Sequence, residues 1–321
     1  MPPVDLHPEA EPHRWSGLEF ELGADASRGP PALHVEYAFG RMFRVRHGAR
    51  SCFLARLDAR YAGLWWARPD ESPGSLAVLP PIRAEQARAH AGDLRRWAWT
   101  FHDALSASPA VVLYPGTWRI EPPRGTEPSL GWYPVVRRLS ECLSASSGYS
   151  KWSLNGSGDV FALRAPSPPD AARVNAWRKS AREGTLPPLL LFFVSGMDSW
   201  LLIDGHDRLQ AALLEGVTPA VLLLSSVRTD RWTVDPEAIA RVERGLAKQL
   251  EHPLTPAQID GVNRRLIEIH REPSNTFPRT RAWAIPGGRE TWLDEARALV
   301  AKGAPAELLA SLDPRAPTRL P

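Results

Sequence analysis

Two carboxylates, a glycine, an imidazole and a guanidinium follow one another at Asp204-Gly205-His206-Asp207-Arg208, where the chain changes from one periodicity to another. Trp200-Leu201-Leu202-Ile203 before them is a continuous apolar run. After them Leu209, Ala212, Leu213 and Gly216 recur at helical spacing, with Gly216 ending the helix before Pro219. The five residues therefore sit where a strand hands over to a helix. A helix start has unpaired backbone N–H groups and a partial positive charge, which suits a phosphate or a carboxylate. Gly205 would let a ligand come close to the backbone, and Arg208 adds a planar fork of donors matched to phosphate. The same spacing also permits an arrangement without a ligand, in which Asp204 caps the helix and pairs with Arg208.

The elements that must position this junction are legible on both sides of it. Leu189-Leu190-Leu191-Phe192-Phe193-Val194 reads as a strand covered on both faces, and the turn residues Ser195-Gly196-Met197-Asp198 join it to the strand ending at Ile203 as a hairpin. A third apolar run occupies residues 220–224. Upstream, Asp159-Val160-Phe161-Ala162-Leu163 reads as a strand. Ser167 as N-cap, Pro168 at the first helical position and Asp170 three residues after the cap predict a helix with the apolar stripe Ala171, Val174, Trp177 and Ala181, ended by Gly184. Arg178 and Arg182 on that helix read either as a solvated basic face or as reach toward a phosphate.

Asp204-Gly205-His206-Asp207-Arg208-Leu209-Gln210-Ala211-Ala212, preceded by the 200–203 strand and followed by Glu215-Gly216-Val217-Thr218-Pro219, resembles the signature segment of the ParB/sulfiredoxin superfamily. The predicted order of strand, helix, hairpin, helix and strand over 159–224 is the order expected of that superfamily's core. The resemblance implies an α+β fold with a ParB/sulfiredoxin-like core, and a nucleotide phosphate site lined by Gly205, His206 and Arg208. The sequence departs from the family at two positions. His206 stands where sulfiredoxins carry their reactive cysteine, which removes their sulfur chemistry. Asp207 replaces the usual His or Thr, and a carboxylate beside phosphates is unfavourable unless a divalent cation sits between them, so nucleotide binding is expected to need Mg²⁺ held by Asp207.

Three functions follow as expectations. The first is a nucleoside di- or triphosphate-dependent phosphotransferase or NTPase, with Asp204 or Asp207 holding Mg²⁺ or accepting a hydroxyl proton, His206 as acid or base, and a small-molecule acceptor. Asp159, ahead of its strand, is a further candidate. The second is a non-catalytic binding protein that keeps the fold, with the Trp-rich N-terminal region and the C-terminal helices as surfaces for a protein partner. The third is a partition-like DNA-associated protein, against which stand the lack of a helix-turn-helix segment and of a concentrated basic patch.

Composition bounds these readings. The formal net charge of the 321 residues is +3, and only Lys151, Lys179, Lys248 and Lys302 among 39 basic residues are lysine. Such a weak basic bias does not suit a protein dominated by nonspecific nucleic-acid binding. Cys52 and Cys142 lie far apart in no metal-type spacing, and no run approaches the ~20 apolar residues of a bilayer span, so a cytoplasmic protein without a disulfide framework is expected. Asn155-Gly156-Ser157-Gly158 precedes a strand rather than a helix, and no Gly-Lys-Ser/Thr occurs, which excludes Walker-type binding.

Four regions are expected: a poorly ordered lead-in over 1–31, a Trp-rich mixed α/β region over 32–150, the core over 151–230 and a helical region over 231–321. Alternation of Leu33, Val35 and Tyr37, continued by Phe43 and Val45, predicts a strand pair. Further strands are expected over 61–66 and 110–114, a helix over 83–105, a loop over 115–131 and a short helix within 132–145. Seven of the 13 tryptophans precede residue 140, and they read as core residues or as a base-stacking surface. Toward the C-terminus, helices start at Pro236 and at Pro256, a Pro/Gly-rich connector covers 273–288, and a last helix covers 291–302.

Overall fold

The computed structural model describes residues 2–7, 13–23, 29–39, 41–58, 60–69, 77–107, 112–123, 136–152, 157–231, 236–250, 255–256, 258–263 and 274–309. They fold as a mixed α and β chain with two mixed sheets. Residues 228–277 form one compact unit and residues 1–227 with 278–321 another.

The first sheet grows around the hairpin expected from the apolar runs. Strands β10 (Leu189–Val194) and β11 (Ser199–Asp204) pair antiparallel, β12 (Val221–Arg231) lies parallel to β10, and β9 (Val160–Ala162) lies parallel to β11. Helix α3 (Ala172–Arg182) connects β9 to β10, and helix α4 (His206–Leu214) connects β11 to β12. On its far side β12 pairs with β7 (Gly116–Glu121), followed by β2 (Gly17–Leu22) and β1 (Val4–Leu6). The second sheet runs β14 (Ala282–Ala284), β3 (Leu33–Ala38), β4 (Met42–His47), β5 (Arg50–Leu57), β6 (Gly63–Ala67) and β8 (Ser147–Lys151), antiparallel except for the β14–β3 pair.

Strand periodicity explains how the layers stack. Leu190, Phe192 and Val194 of β10 point into one core with Val35, Val45, Phe53 and Trp66 of the second sheet, whereas Leu189, Leu191 and Phe193 point the other way, into a core shared with Leu209 of α4. A strand buried on both faces has no polar positions to alternate, which is why β10 reads as an unbroken apolar run. Helix α3 packs on α4 through Val174, Trp177 and Ala211. The outer face of the second sheet is covered by α6 (Gly288–Val300), whose Trp292, Ala296 and Leu299 meet Met42, Leu54 and Trp65. The result in this unit is helix, sheet, sheet, helix. Helix α2 (Leu94–Ala107) adds Trp97, Ala98, Phe101 and Leu105 to the inter-sheet core.

The second unit, 228–277, contains the end of β12, β13 (Ser274–Pro278) paired with it, α5 (Pro236–Leu250) and helical residues among 256–263. Leu246 and Val262 are buried there, and Val242 and Ile259 are exposed.

Several expectations change. The lead-in carries β1 and β2, whose Leu18 and Phe20 enter the core, so its described residues 4–6 and 17–22 belong to the first sheet. Because β2 and β7 share a sheet with β10 to β12, the region before residue 150 and the core after it do not separate. The helix over 83–105 breaks into α1 (Ala84–Ala89) and α2. Gly92 there takes φ of 74°, and Asp93 caps the second helix by accepting from the Arg96 amide at 3.0 Å. Of the strand expected over 110–114, residues 110–111 lie outside the described residues and Val112 to Tyr114 are buried without pairing as a strand; the loop expected over 115–131 instead begins with β7, whose Trp118 and Ile120 alternate inward. Within 136–145 the chain makes a bridge and turns instead of a helix, while residues 132–135 lie outside the described residues. The 273–288 connector holds β13 and β14, and α6 starts earlier than 291. Trp97 is buried, and Trp99 donates from its indole to Asp5 at 3.2 Å.

Both cysteines are free and buried, and burial pushes the Cys52 thiol up to about 11 and the Cys142 thiol up to about 12. A thiolate is the reactive form. At pH 8 the native protein should therefore release almost no colour from an aromatic disulfide reagent within minutes, and two thiols in denaturant; rapid native reaction would show that one of them reaches solvent.

Candidate functional site

The 204–208 segment lies where expected, at the passage from β11 into α4. A register shift opposite Leu190 and Leu191 brings Asp204 against Leu190, so a bulge re-aims the end of the strand at the junction. Gly205 is the N-cap of α4 with φ of 104°, a conformation that L residues with a Cβ avoid. The space beside it is already filled: an added Cβ would lie 2.7 Å from Leu189 Cδ2 and 2.9 Å from Arg208 Nη2. No side chain caps the helix, and its first turn bond runs from the Leu209 amide to the Gly205 carbonyl at 2.8 Å.

The charges are paired in two groups. Arg208, 2 % exposed, donates from Nη2 to Asp204 Oδ2 at 2.5 Å and to the Pro188 carbonyl at 3.0 Å, with its guanidinium 5.9 Å from the centre of the Trp177 ring. Asp207 accepts from Arg164 Nη2 at 2.8 Å and Ser167 Oγ at 2.7 Å on Oδ1, with Arg173 Nε 3.4 Å from Oδ2. Burial would raise the Asp207 pKa, but the hydrogen bonds of Arg164 and Ser167 and the charges of Arg164 and Arg173 outweigh it and hold the carboxyl below its ordinary value. His206 is held well below the usual histidine range, first by burial and then by Arg164, Arg68 and Arg208, so the ring is neutral. Its Nε2 and the Nε of Arg208 are buried without a hydrogen-bond partner.

Sequence periodicity missed Arg164, Ser167 and Arg173 as parts of the site. Ser167 does not cap a helix: α3 starts at Ala172 with Ala171 as N-cap, and the Ser167 hydroxyl serves Asp207 instead. Arg164 lies two residues past the end of β9, next to the buried Leu163, a place where a buried charge has to find a partner, which is the one signal that could have found it. Arg178 and Arg182, weighed as phosphate ligands, both donate to Glu215 Oε1, at 2.6 and 2.8 Å, and tie α3 to the end of α4. Asp159 is not beside the junction residues in any hydrogen bond; it accepts from Ser150 Oγ at 2.6 Å.

The donor set at Asp207 does not fit Mg²⁺. Both of its oxygens face guanidinium groups, and a divalent cation placed there would meet two like charges. Among the described residues, no group of three or more His, Cys, Asp or Glu could hold a metal ion. An anion fits better. Arg164, Arg173 and Arg208 outnumber Asp204 and Asp207 by one charge, Arg68 adds positive potential at His206, and the helix start offers backbone N–H groups. Among the described residues no helix is long and apolar enough to cross a membrane. No family model matches the chain, and no curated protein or solved structure is significantly similar to it.

Proposed function

We propose that the chain is a nucleotide-binding protein of the ParB/sulfiredoxin-like kind, in which the start of α4 receives the phosphates of a nucleoside di- or triphosphate. The observation that carries this reading is a buried helix start with no side-chain cap, next to unpartnered nitrogens on His206 and Arg208. The Arg208 Nε–H is a buried donor without a partner, which costs about 1–3 kcal/mol, and an anion relieves it; it relieves His206 Nε2 as well in the tautomer that carries the neutral ring's proton there. The order β9, α3, β10, β11, α4, β12 also supports the reading, since it repeats the order expected of that core. In this role Gly205 supplies the positive φ that the turn into α4 needs, neutral His206 contributes a ring nitrogen, and Arg164 and Arg173 bring charge. The Arg173 side chain, 59 % exposed, marks the solvent side of the site.

Binding without turnover is the form that the geometry favours, because Asp204 and Asp207 are each held by arginine and His206 is buried. A phosphotransfer role would require one of these carboxylates to leave its partner. The same protein-partner reading through α5 and the helix at 256 remains a separate expectation about the second unit.

A thermal-shift titration with ATP, ADP, CTP and GTP, each with and without Mg²⁺, tests the proposal. A ligand at 100 times its Kd adds about 2.7 kcal/mol to stability, a readily seen shift in Tm. One nucleotide is expected to raise Tm without needing Mg²⁺ and to remain unhydrolysed. Arg173→Ala should weaken that binding about tenfold while changing the stability of the free protein by no more than ~0.5 kcal/mol, as an exposed side chain does. No shift with any of the four would defeat the proposal.

A further inference from the structure

The edge strand of each sheet contributes to a second, separate cavity. Between β9 and β8, under the 138–145 segment, lies a cleft of about 160 Å³ whose lining includes Trp66, Phe161, Arg138, Glu141, Cys142 and Asp159. Its deepest charge is Asp159, 6 % exposed, which accepts from Ser150 Oγ at 2.6 Å and has Arg138 Nη1 at 3.5 Å, both at Oδ2. Arg138 reaches in from the surface: its side chain is 53 % exposed, and its Nε donates to Glu141 Oε2 at 2.8 Å. Burial raises the Asp159 carboxyl above its ordinary pKa in spite of the Ser150 hydrogen bond and the Arg138 charge. The positive partners it has therefore do not fully compensate it.

The walls point to the same kind of ligand. The Trp66 and Phe161 rings are 4.9 Å apart, centre to centre, at 51°. Opposite Trp66 across the β6–β8 pair stands Gly148, where a Cβ would lie 3.7 Å from the indole Nε1, so the residue paired with Trp66 puts no side chain against its indole. Two carboxylates and one guanidinium leave the lining with one net negative charge, since the Cys142 thiol is protonated. Aromatic rings beside a buried, undercompensated carboxylate suit a cation.

We propose that this cleft binds a small organic monocation of the alkylammonium class, with Asp159 as its counter-ion and the Trp66 and Phe161 rings as its walls. The volume is several times the ~10–15 Å³ that one water needs, so a ligand of about five heavy atoms fits. Arg138, the guanidinium now resting at Oδ2, swings out to solvent when the ligand enters. It is a competitor for Asp159 and not part of the binding set.

Calorimetric titration of the full chain with n-butylammonium and with its neutral isostere butan-1-ol tests this assignment. Saturable binding of the ammonium, and none of the alcohol at the same concentrations, is expected. Asp159→Asn should weaken ammonium binding at least about tenfold, and Arg138→Ala should tighten it about threefold or more by removing the competitor. Equal binding of the alcohol would reduce the cleft to an apolar void and overturn the proposal. So would weaker binding by Arg138→Ala. If Asp159→Asn does not fold, the direction of the Arg138→Ala change decides, because a merely structural loss at the surface would not tighten binding.

Discussion

Replacing Asp207 with alanine is expected to destabilise the protein by about 3–5 kcal/mol, the usual cost of removing one partner from a buried ion pair. The reason lies in what is left behind. Arg164, with a side chain 7 % exposed, would keep its charge inside the protein with its bond to Asp207 gone, and Ser167 would lose its acceptor. Exposed Arg173 would turn to water at little cost. The double variant Asp207→Ala with Arg164→Met should recover most of the loss, because an apolar pair of similar volume is close to neutral in place of a buried ion pair.

The same pair fixes the acid limb of stability. The folded Asp207 pKa lies below its unfolded value, so its contribution is fully present above the unfolded value and is lost as pH falls through the folded one. Urea unfolding at pH 7 and pH 3 reads both effects: the stability difference between wild type and Asp207→Ala should be largest at pH 7 and shrink at pH 3. A loss below 1 kcal/mol at pH 7 would mean that Asp207 is not the anchor of Arg164, and would reopen the carboxylate to other roles.

What could be read from the sequence was decided by periodicity. The β10–β11 hairpin, α4 and the strand after it were legible because the apolar runs sit in the middle of the fold, where burial on both faces leaves no polar position to confuse strand with loop. The Asp204–Arg208 pair was legible as an alternative, since residues four apart on a helix face each other. Strand β7 was hidden because Pro115 and Gly116 open it and Pro122 and Pro123 follow it, so its alternating Trp118 and Ile120 looked like part of a loop. Strands β1 and β2 were hidden for a related reason: their stabilisation comes from pairing with each other and with β7, about 100 residues away, and no local pattern announces such a partner. The arginines around the junction escaped because a buried charge is recognisable only by its partner. Arg164 and Asp207 are brought together by the parallel pairing of β9 and β11, which the sequence does not state. Legibility of the segment and legibility of its chemistry thus came apart: the five residues were found at their handover, while the groups that set their charge lie one strand and one helix away.

Asp198 gives the opposite sign of pH dependence and a gain in place of a loss. It sits in the turn between β10 and β11 with φ of 48°, and its backbone carbonyl accepts from the Gly158 amide and the Ser157 hydroxyl, both at 3.1 Å. That turn needs a residue that tolerates the left-handed region, and both Asp and Asn do so. Burial alone pushes the carboxyl up to about 6. A carboxyl raised in the folded state leaves stability intact below the unfolded value, near 3.9, and removes it as pH rises through the folded one. About two pKa units correspond to roughly 2.7 kcal/mol, which the partial exposure of the side chain reduces to about 1–2 kcal/mol. Asp198→Asn keeps the backbone conformation and removes the charge, so it should stabilise the protein by about 1–2 kcal/mol at pH 8 and change it little at pH 4. Urea midpoints at the two pH values decide the matter. An equal effect at both would show that the substitution acts through packing or the turn, and no gain at pH 8 would show that water reaches the carboxylate. The expected gain at pH 8 would mean that this turn, which holds the segment entering β9 in place through the Asp198 carbonyl, keeps an uncompensated carboxylate at neutral pH. Such a group destabilises the fold on its own account, so a cationic group brought near it would stabilise the hairpin that carries the 204–208 junction.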